Sequence, residues 1–301
     1  MPPADHPVIL LLGGSGQVGW ELRRTLAPLG DILAPTRAEL DLTDEGALRR
    51  SIRASKPQVV VNAAAYTAVD QAEAAVSQAE ALNARLPRVL AEEAADIDAV
   101  LVHYSTDYVF DGAGTHPYRE EDQTSPLGVY GRTKLAGDLA VLASGANAYL
   151  FRVAWVYGLR GHNFLRTISR LALEREELRV VADQHGAPTW SRMIAEATST
   201  AVGRVLASRA LGIEPPQPGL YHLAPPDVTT WHEFATAIVA HVKPAMAGRV
   251  FPISGEEYKT VARRPAYSAL DSSKFARQFG LRLPGWRGQL TLCLEEWQPF
   301  P

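Results

Sequence analysis

The sequence predicts an α/β protein built on a doubly wound parallel sheet, with a smaller C-terminal α/β lobe. Short, continuously apolar runs alternate with helical segments through the first half of the chain, a pattern typical of parallel sheets covered by helices. The first run, Val8–Leu12, leads into a glycine-rich loop and then into a helix whose apolar residues recur every four positions. After about Gly158 the alternation loosens, which indicates a second, less regular lobe.

The predicted elements follow in order along the chain. Strands are expected where a short apolar run can be buried on both faces of a sheet, at residues 8–12, 32–34, 59–61, 100–102, 149–153, 178–181 and 221–223, the last rejoining the main sheet. Helices are expected around residues 18–26, 73–81, 87–95, 165–173, 194–206 and 286–297. Thr230 and Glu233 fit a capping box that opens a further helix, and Ser272 is expected to cap another.

Composition narrows the classes of function. The formal net charge is −3 and 47% of the residues are hydrophobic, so nothing indicates a nucleic-acid or membrane partner. The single cysteine, Cys293, excludes an internal disulfide and a cysteine-rich metal site. Apolar runs stay short, and residues 1–6 lack the features of a signal peptide. We therefore expect a cytoplasmic protein.

The glycine-rich loop after the first strand predicts nucleotide binding. Residues 13–19 read GGSGQVG, between a strand and a helix. Glycines let the backbone approach a pyrophosphate, and the helix N-terminus offers free N–H groups and the positive end of its dipole. We expect the cofactor to lie on this loop, with contacts from Gly13, Ser15, Gly16, Gln17, Val18 and Gly19. Residues 1–157 are then a Rossmann-like, NAD(P)-binding domain, and residues 158–301 mainly a substrate-binding lobe with some segments returning to the sheet.

The end of the second strand bears on the choice of cofactor. NAD-preferring proteins usually carry an acid there, which binds the adenosine ribose, but this chain has Thr36 and Arg37. A hydroxyl and a guanidinium suit a 2′-phosphate, so we predict NADPH, with NADH as an accepted alternative. Arg37 as an ordinary solvated loop residue remains an open alternative. Further cofactor contacts are expected from Asp41, Leu42, Ala63, Ala64 and Ala65.

Tyr130 and Lys134 are the predicted centre of the chemistry. Residues four apart share one helix face, so an ammonium can lie beside a phenol and favour its ionised form. A ketone that receives hydride needs such a proton donor at its oxygen. Thr106, or otherwise Ser105, follows a buried strand and can tune the donor. Simple turn capping is the alternative for this segment, and His103 is expected to be a core residue rather than a base.

Several longer motifs resemble the dTDP-4-dehydrorhamnose reductase family of extended short-chain dehydrogenases. They are the glycine loop, NAAAYTAVD at 62–70, HYSTDYVF at 103–110, SPLGVYGRTK at 125–134, RVAWVY at 152–157 and DQHGAPT at 183–189. The resemblance runs from about Val8 to the C-terminal helix. It implies reduction of the 4-keto group of dTDP-4-dehydro-L-rhamnose to dTDP-L-rhamnose, the last step in making this donor for cell-surface polysaccharide.

The resemblance also implies individual roles. Tyr130 would be the proton donor, Lys134 would bind the cofactor, and Thr106 would tune the donor. The cofactor would further contact Gly16, Gln17, Val18, Asp41, Leu42, Ala63, Ala64, Ala65 and Tyr104. The sugar nucleotide would contact Thr106, Asp107, Trp155, Asn163 and Arg264, the last suited to a diphosphate. Trp155 as a plain core aromatic residue stays open.

One position departs from the family pattern. Some members are metal-bridged dimers held by glutamates, and here Glu21 and Glu295 or Glu296 match two of the positions, whereas Arg192 occupies the third. An arginine cannot ligate Mg²⁺, but it can pair with Glu21. We therefore expect no bound metal, and a monomer or weak homodimer.

Two other functions fit the same residues. A reductase or epimerase of another nucleotide 4-keto sugar would use the same glycine loop and Tyr130–Lys134 pair. A non-catalytic regulatory subunit, of the kind that partners methionine adenosyltransferase, would keep the fold. Intact Tyr130, Lys134 and Thr106 argue against the regulator.

Overall fold

The computed structural model describes residues 6–298, so both outer ends of the two predicted domains, 1–5 and 299–301, lie outside the described residues. The strands are β1 (Val8–Leu12), β2 (Asp31–Leu33), β3 (Val59–Asn62), β4 (Val100–Thr106), β5 (Asn147–Val153), β6 (Val156–Tyr157), β7 (Leu178–Val181), β8 (His185–Gly186), β9 (Thr189–Trp190), β10 (Gly219–His222), β11 (Thr229–Thr230) and β12 (Val250–Ile253).

The helices alternate with these strands in the first half and dominate the second. They are α1 (Gln17–Thr25), α2 (Glu45–Ser55), α3 (Val69–Ala72), α4 (Val76–Glu80), α5 (Leu86–Asp96), α6 (Val129–Ala143), α7 (Phe164–Glu174), α8 (Ser191–Leu211), α9 (Trp231–Val242), α10 (Ser273–Phe279) and α11 (Trp286–Glu295). A π-helical turn, Ala81–Arg85, joins α4 to α5, and short 3-10 helices cover Asp107–Val109 and Pro244–Arg249.

The main sheet has six parallel strands in the order β2-β1-β3-β4-β5-β10. The chain starts in the middle and winds first to one edge and then to the other, so helices cover both faces. The predicted doubly wound sheet is confirmed, as is the return of the 221–223 segment through β10. Because all strands are parallel, the carboxyl ends of β1, β3 and β4 meet at one edge, where such sheets bind ligands.

Two apolar layers sandwich this sheet, and a third core fills the C-terminal lobe. On one face α1 and α8 pack together, with Leu22 and Leu26 against Ile194 and Ala201. On the other face α2, α5 and part of α6 cover the strands. The third core lies between α7, α9 and α11, around Phe234. Since α8 belongs to the first layer, the division at residue 158 does not coincide with the packing of the cores.

Three local predictions differ from the structure. The 73–81 segment is helical only from Val76, since residues 73–75 lie between α3 and α4. Ser272 does not cap α10 with its side chain but bonds the backbone of Ala224 instead. Thr230 opens α9 as predicted by accepting the N–H of Glu233, but the capping box is half formed because the Glu233 carboxylate accepts the hydroxyl of Thr229.

The strand β4 is longer than predicted, and this changes the position of Thr106. We expected a strand at residues 100–102 followed by a loop, but pairing with β5 continues to Thr106 opposite Val153. The segment between stays fully buried, so sheet hydrogen bonds satisfy its backbone. Thr106 is thus held by the sheet, and the turn begins at Asp107.

Candidate active site

The glycine turn fits a cofactor phosphate. Gly13 has φ = 76° and a Cβ there would lie 2.6 Å from the backbone of Ala63, while a Cβ on Gly19 would lie 2.1 Å from the Gly13 oxygen. Only glycine allows β1, the turn and the end of β3 to approach so closely. The N-terminus of α1 has no side-chain cap and no acid in its first turn, and Ser15 and Gly16 are exposed there. The free N–H groups suit an anion.

The rest of this turn lies within reach of the C-terminal lobe. Gln17 and Val18 are half-buried in the first turn of α1. The Gln17 side-chain oxygen accepts a hydrogen bond from Nδ2 of Asn163 at 2.8 Å. The half-buried Ala63, Ala64 and Ala65 follow β3 beside the turn. The predicted phosphate loop is therefore assembled from β1, α1, the end of β3 and a residue of the second lobe.

The loop after β2 forms an exposed rim of the site. Thr36 donates through its N–H and its hydroxyl to the Glu39 carboxylate, at 2.7 and 2.9 Å. Asp41 accepts the N–H and hydroxyl of Thr43. Arg37 is exposed, and Leu42 is half-buried against the apolar layer. Arg37 is therefore solvent-exposed on this rim, where its charge helps to lower the pKa of Asp41 after the hydrogen bonds from Thr43.

Thr106 and Asp107 form a buried pair at the end of β4. The Thr106 hydroxyl donates to Asp107 Oδ1 at 3.0 Å and accepts the N–H of Tyr108 at 3.2 Å. Burial raises the pKa of Asp107 to about 7, although the hydroxyls of Ser268 and Thr106 lower it. Thr106 therefore caps the turn, and its catalytic role stays a prediction.

Helix α6 lies against this strand end because two of its residues are glycines. A Cβ on Gly131 would lie 2.2 Å from the Tyr108 oxygen, and one on Gly137 would lie 2.1 Å from the Asn83 oxygen. The helix begins at Val129, whose N–H donates to Glu73 at 2.7 Å. This close approach places Tyr130, in the first turn, next to Thr106.

Burial decides the acidity of Tyr130 in the cofactor-free protein. It raises the pKa of the phenol to about 12, although a hydrogen bond with the Thr106 hydroxyl lowers it, and the carboxylates of Asp107 and Asp138 raise it further. The effect of Lys134 on this phenol beside a bound cofactor stays a prediction. Tyr130 is a neutral phenol that holds its proton.

Lys134 points from the same helix face towards β4. It is 2% exposed, and its Nζ donates to the backbone oxygen of Tyr104 at 2.5 Å. Burial lowers its pKa from 10.5 to about 8, and the carboxylate of Asp138 raises it. Tyr130 and Lys134 are therefore one turn apart on α6, a helix with a largely buried inner face.

Tyr104 contributes to this site through its backbone. Its side chain is buried in the layer formed by α1 and α8, and its hydroxyl bonds Thr198 at 2.7 Å. Its carbonyl holds Lys134 while its phenol is turned into the core, and a contact of Tyr104 with the cofactor stays a prediction. His103 is a core residue, as expected, and its Nδ1 bonds Asn62 at 3.1 Å.

A buried charged group behind Lys134 was missed by the sequence reasoning. Asp138 lies one turn further along α6 and accepts the Ser105 hydroxyl at 2.8 Å and Arg152 Nε at 3.2 Å. The spacing of Tyr130, Lys134 and Asp138, each four residues apart, was a usable signal for Asp138. No local pattern links Arg152 on β5 to it.

Trp155 lies in an aromatic stack that belongs to the second lobe. Its ring stacks on Trp231 with 3.5 Å between centroids and 4° between planes, and its Nε1 donates to Ser268 at 3.2 Å. Its backbone is left-handed, with φ = 44°. A Cβ on Gly186 would lie 2.3 Å from the indole, so this placement requires glycine there. Trp231 and Ser268 had no signal in the sequence.

Asn163 and Arg264 are already engaged by protein groups. The Asn163 amide caps α7 and also donates to Gln17 and to the Gly158 oxygen, so its direct contact with a sugar remains a prediction. Arg264 Nη2 binds Asp70 at 2.8 Å, while its Nη1 is buried without a hydrogen-bond partner in the described chain. An anion beside this guanidinium would supply the missing partner.

Arg192 pairs with two glutamates, as we expected for Glu21. Its Nε lies 3.2 Å from Glu21 Oε2, and its Nη1 binds Glu296. Within residues 6–298 no group of three or more His, Cys, Asp or Glu side chains is arranged to hold a metal. Across the same residues no helix is long and apolar enough to span a bilayer.

Comparison with known proteins agrees with this geometry. The family model "RmlD substrate binding domain" matches residues 7–298. A dTDP-4-dehydrorhamnose reductase of Burkholderia thailandensis is 46% identical over 96% of this chain and 98% of its own. One from Escherichia coli K12 is 41% identical over 96% of this chain and 97% of its own. A Bacillus anthracis dTDP-4-dehydrorhamnose reductase in complex with NADP superimposes with a TM-score of 0.87, at 32% identity, over 97% of this chain and 100% of that one.

The parallel sheet, the glycine turn and the Tyr130–Lys134 face define an oxidoreductase of the short-chain dehydrogenase type. With the family model spanning residues 7–298 and relatives above 40% identity, the chain belongs to the dTDP-4-dehydrorhamnose reductase family.

Proposed function

We propose that this chain reduces the 4-keto group of dTDP-4-dehydro-L-rhamnose to give dTDP-L-rhamnose, the last step of dTDP-rhamnose biosynthesis. NADPH is the proposed hydride donor, with NADH as an accepted alternative. The observation that carries the proposal is the meeting of Thr106, Tyr130 and Lys134 at the carboxyl end of β4. Support comes from the names of the relatives and from NADP in the Bacillus anthracis structure.

The proton donor in this proposal is Tyr130. NADPH, when bound, supplies the hydride that adds to the ketone carbon, and the phenol gives its proton to the ketone oxygen. Thr106 donates to Asp107 and hydrogen-bonds the phenol, so it fixes the direction of the Tyr130 hydroxyl. The ammonium of Lys134 stabilises the tyrosinate formed on proton transfer.

The remaining contacts are proposed from position and family motif. The cofactor would lie on Gly13, Ser15, Gly16, Gln17, Val18, Gly19, Thr36, Arg37, Asp41, Leu42, Ala63, Ala64, Ala65, Tyr104, Tyr130 and Lys134. The dTDP-sugar would contact Thr106, Asp107, Trp155, Asn163 and Arg264. The stack of Trp155 on Trp231 and the unpartnered Nη1 of Arg264 support the second set. The lobe formed mainly by residues 158–301 would supply Asn163 and Arg264 and, through Trp231, the partner on which Trp155 stacks.

We further propose a cytoplasmic enzyme that is a monomer or weak homodimer. The precursor sugars of this reaction are nucleotide-linked, and nucleotide cofactors are cytoplasmic metabolites. The pairing of Arg192 with Glu21 and Glu296 supports the absence of a metal bridge at that surface.

The decisive assay follows NADPH oxidation at 340 nm with dTDP-4-dehydro-L-rhamnose. Tyr130→Phe should lower kcat by about 10²-fold or more, since it removes the proton donor, with NADPH affinity retained. Tyr221→Phe is the matched control, because its hydroxyl bonds the Gln217 oxygen in a surface loop, and it should keep wild-type activity. Equal rates in both variants would remove Tyr130 from the chemistry.

The same assay separates the alternative functions. Faster turnover of a UDP-linked 4-keto sugar would indicate a reductase of another substrate, and epimerised product without net NADPH oxidation would indicate an epimerase. Tight NADPH binding without activity on any keto sugar would favour a regulatory subunit.

A further inference from the structure

Asp70 is a carboxylate whose two oxygens hold two different groups of one distant segment. Oδ2 accepts a hydrogen bond from Arg264 Nη2 at 2.8 Å, and Oδ1 accepts the backbone N–H of Ala262 at 3.0 Å. A carboxylate and an arginine that pair with each other alone frequently form two parallel bonds. Here the backbone of Ala262 takes the second oxygen, so the contact between Asp70 and Arg264 is a single hydrogen bond.

The other terminal nitrogen of Arg264 is left for a ligand. Nη1 is buried and has no hydrogen-bond partner among residues 6–298. A buried donor without an acceptor is destabilising, and a guanidinium is always charged and suited to phosphate oxygens. The nitrogen therefore fits an oxygen of an anionic ligand, such as the diphosphate of a nucleotide sugar.

Arg264 lies one aromatic ring away from the proposed proton donor. Its Cζ is 5.9 Å from the centroid of the Tyr108 ring, which packs edge to face on Tyr130 with 5.8 Å between centroids. In a nucleotide 4-keto sugar, the sugar ring separates the ketone at C4 from the diphosphate at C1. One substrate can therefore place its ketone at Tyr130 and its diphosphate at Arg264.

Different parts of the molecule hold the segment that carries Arg264. After it, residues 266–268 bond the backbone N–H and oxygen of His185 on β8, each at 2.8 Å. Before it, Val261 is 76% exposed. Asp70, in the first turn of α3 on the Rossmann-like domain, binds the chain between these two points. Its contacts therefore fix the place where Arg264 enters the site from the other lobe.

A second carboxylate of the same stretch supports the proton donor. Glu73, three residues after Asp70, accepts the N–H of Val129 at 2.7 Å, at the start of the helix that carries Tyr130. The stretch after β3 thus bonds both the helix with the proton donor and the segment with Arg264. It connects the two ends of the proposed substrate site.

We propose that Asp70 is a positioning residue for substrate binding: its carboxylate holds the guanidinium of Arg264 so that Nη1 is free to bind the diphosphate of the nucleotide sugar. The inference rests on the proposed function, because that function assigns Arg264 to the substrate. It adds the residue that orients this arginine, and it concerns binding rather than proton transfer.

The test compares the binding of dTDP with that of thymidine, which lacks the diphosphate. Isothermal titration calorimetry measures dTDP, and NMR titration measures the weaker ligand. In Arg264→Gln the Kd of dTDP should rise by about tenfold or more, the usual effect of losing a hydrogen bond to a charged group. In Asp70→Asn, whose side chain offers one acceptor oxygen in place of two, it should rise by about threefold to tenfold. Thymidine binding should stay the same in both variants, whereas a general structural defect would weaken both ligands.

A double variant separates positioning from an independent effect. If Asp70 acts through Arg264, adding Asp70→Asn to Arg264→Gln should leave the Kd of dTDP at the Arg264→Gln value. Asp98→Asn is the matched control, because it breaks another aspartate–arginine pair, with Arg209 at 3.2 Å, before the start of β4. It should bind dTDP like the wild type, and NADPH affinity should be unchanged in all of these variants.

Kinetics give a further readout. In Asp70→Asn, KM for dTDP-4-dehydro-L-rhamnose should rise by the factor found for dTDP, with kcat unchanged. Unchanged or tighter dTDP binding in Asp70→Asn, equal losses of dTDP and thymidine, or a further loss in the double variant would overturn the inference. A wild type that binds dTDP but reduces no keto sugar would contradict the proposed function, while the binding experiments would still decide the role of Asp70.

Discussion

The carboxyl end of β4, with α6 against it, keeps its polar groups away from water, whereas the loop after β2 exposes them. Thr106, Asp107 and Lys134 are at most 5% exposed and bond one another or the backbone. Thr36 and Arg37 face solvent, and Thr36 bonds the nearby Glu39 and Leu40. In the buried half, geometry and charge are fixed before any ligand arrives. On the exposed rim, a ligand can reorganise the side chains at little cost.

The largest effect should come from the glycine turn between β1 and α1, where an added side chain has no room. In Gly19→Ala the new methyl group would lie 2.1 Å from the Gly13 oxygen, so the turn must open, at a cost of about 3 kcal/mol in unfolding free energy. Urea unfolding and a fluorescence titration with NADPH should show lower stability and loss of tight binding. Gly248→Ala, where a Cβ meets nothing within 4 Å, is the control. Wild-type NADPH affinity in Gly19→Ala would show that the turn does not hold the cofactor.

The pH dependence of kcat/KM should report the charge of Lys134, which is buried beside the end of β4. Burial lowers the pKa of Lys134 from 10.5 to about 8, so the ammonium is present below pH 8 and is lost as pH rises through that value. Above it, kcat/KM for NADPH should fall by about tenfold for each pH unit. Circular dichroism over the same range is the control for unfolding. A flat profile up to pH 10 would mean that Lys134 keeps its charge or does not matter.

The exposed rim should yield a smaller and more selective effect. Arg37→Ala should raise KM for NADPH by about tenfold, the value of one charge-assisted hydrogen bond, while KM for NADH stays the same. Arg50→Ala, another exposed arginine on α2, should change neither constant. If Arg37→Ala weakens NADPH and NADH equally, the residue does not bind a 2′-phosphate.

The smallest effect is expected at the surface where Arg192 meets Glu21 and Glu296. Arg192→Ala should cost about 1 kcal/mol or less in unfolding free energy, because the groups are partly solvated. Sedimentation of the wild type should be the same with and without Mg²⁺. Mg²⁺-dependent dimerisation of the wild type would contradict the absence of a metal bridge.

Local sequence patterns predicted the features that depend on residues close together in the chain. The glycine turn and the pairing of Arg192 with Glu21 were predicted from spacing, motif or resemblance, and the structure brings each together. Tyr130 and Lys134 lie one turn apart on α6, and their joint action stays a prediction. The length of β4 was missed, because its last residues depend on pairing with β5 rather than on their own polarity. Ser268 and Trp231 were missed because they reach Trp155 from distant segments.

The sequence by itself determined the doubly wound sheet, the phosphate turn and the helix face that carries Tyr130 and Lys134, since periodicity and glycine positions act over a few residues. Only the tertiary structure decided the protonation of these groups. The acidity of Tyr130 and Lys134 depends on how much water is removed around them and on the carboxylate of Asp138. Desolvation and charge act through space, so no local pattern could have predicted how far burial raises the pKa of Tyr130 and lowers that of Lys134.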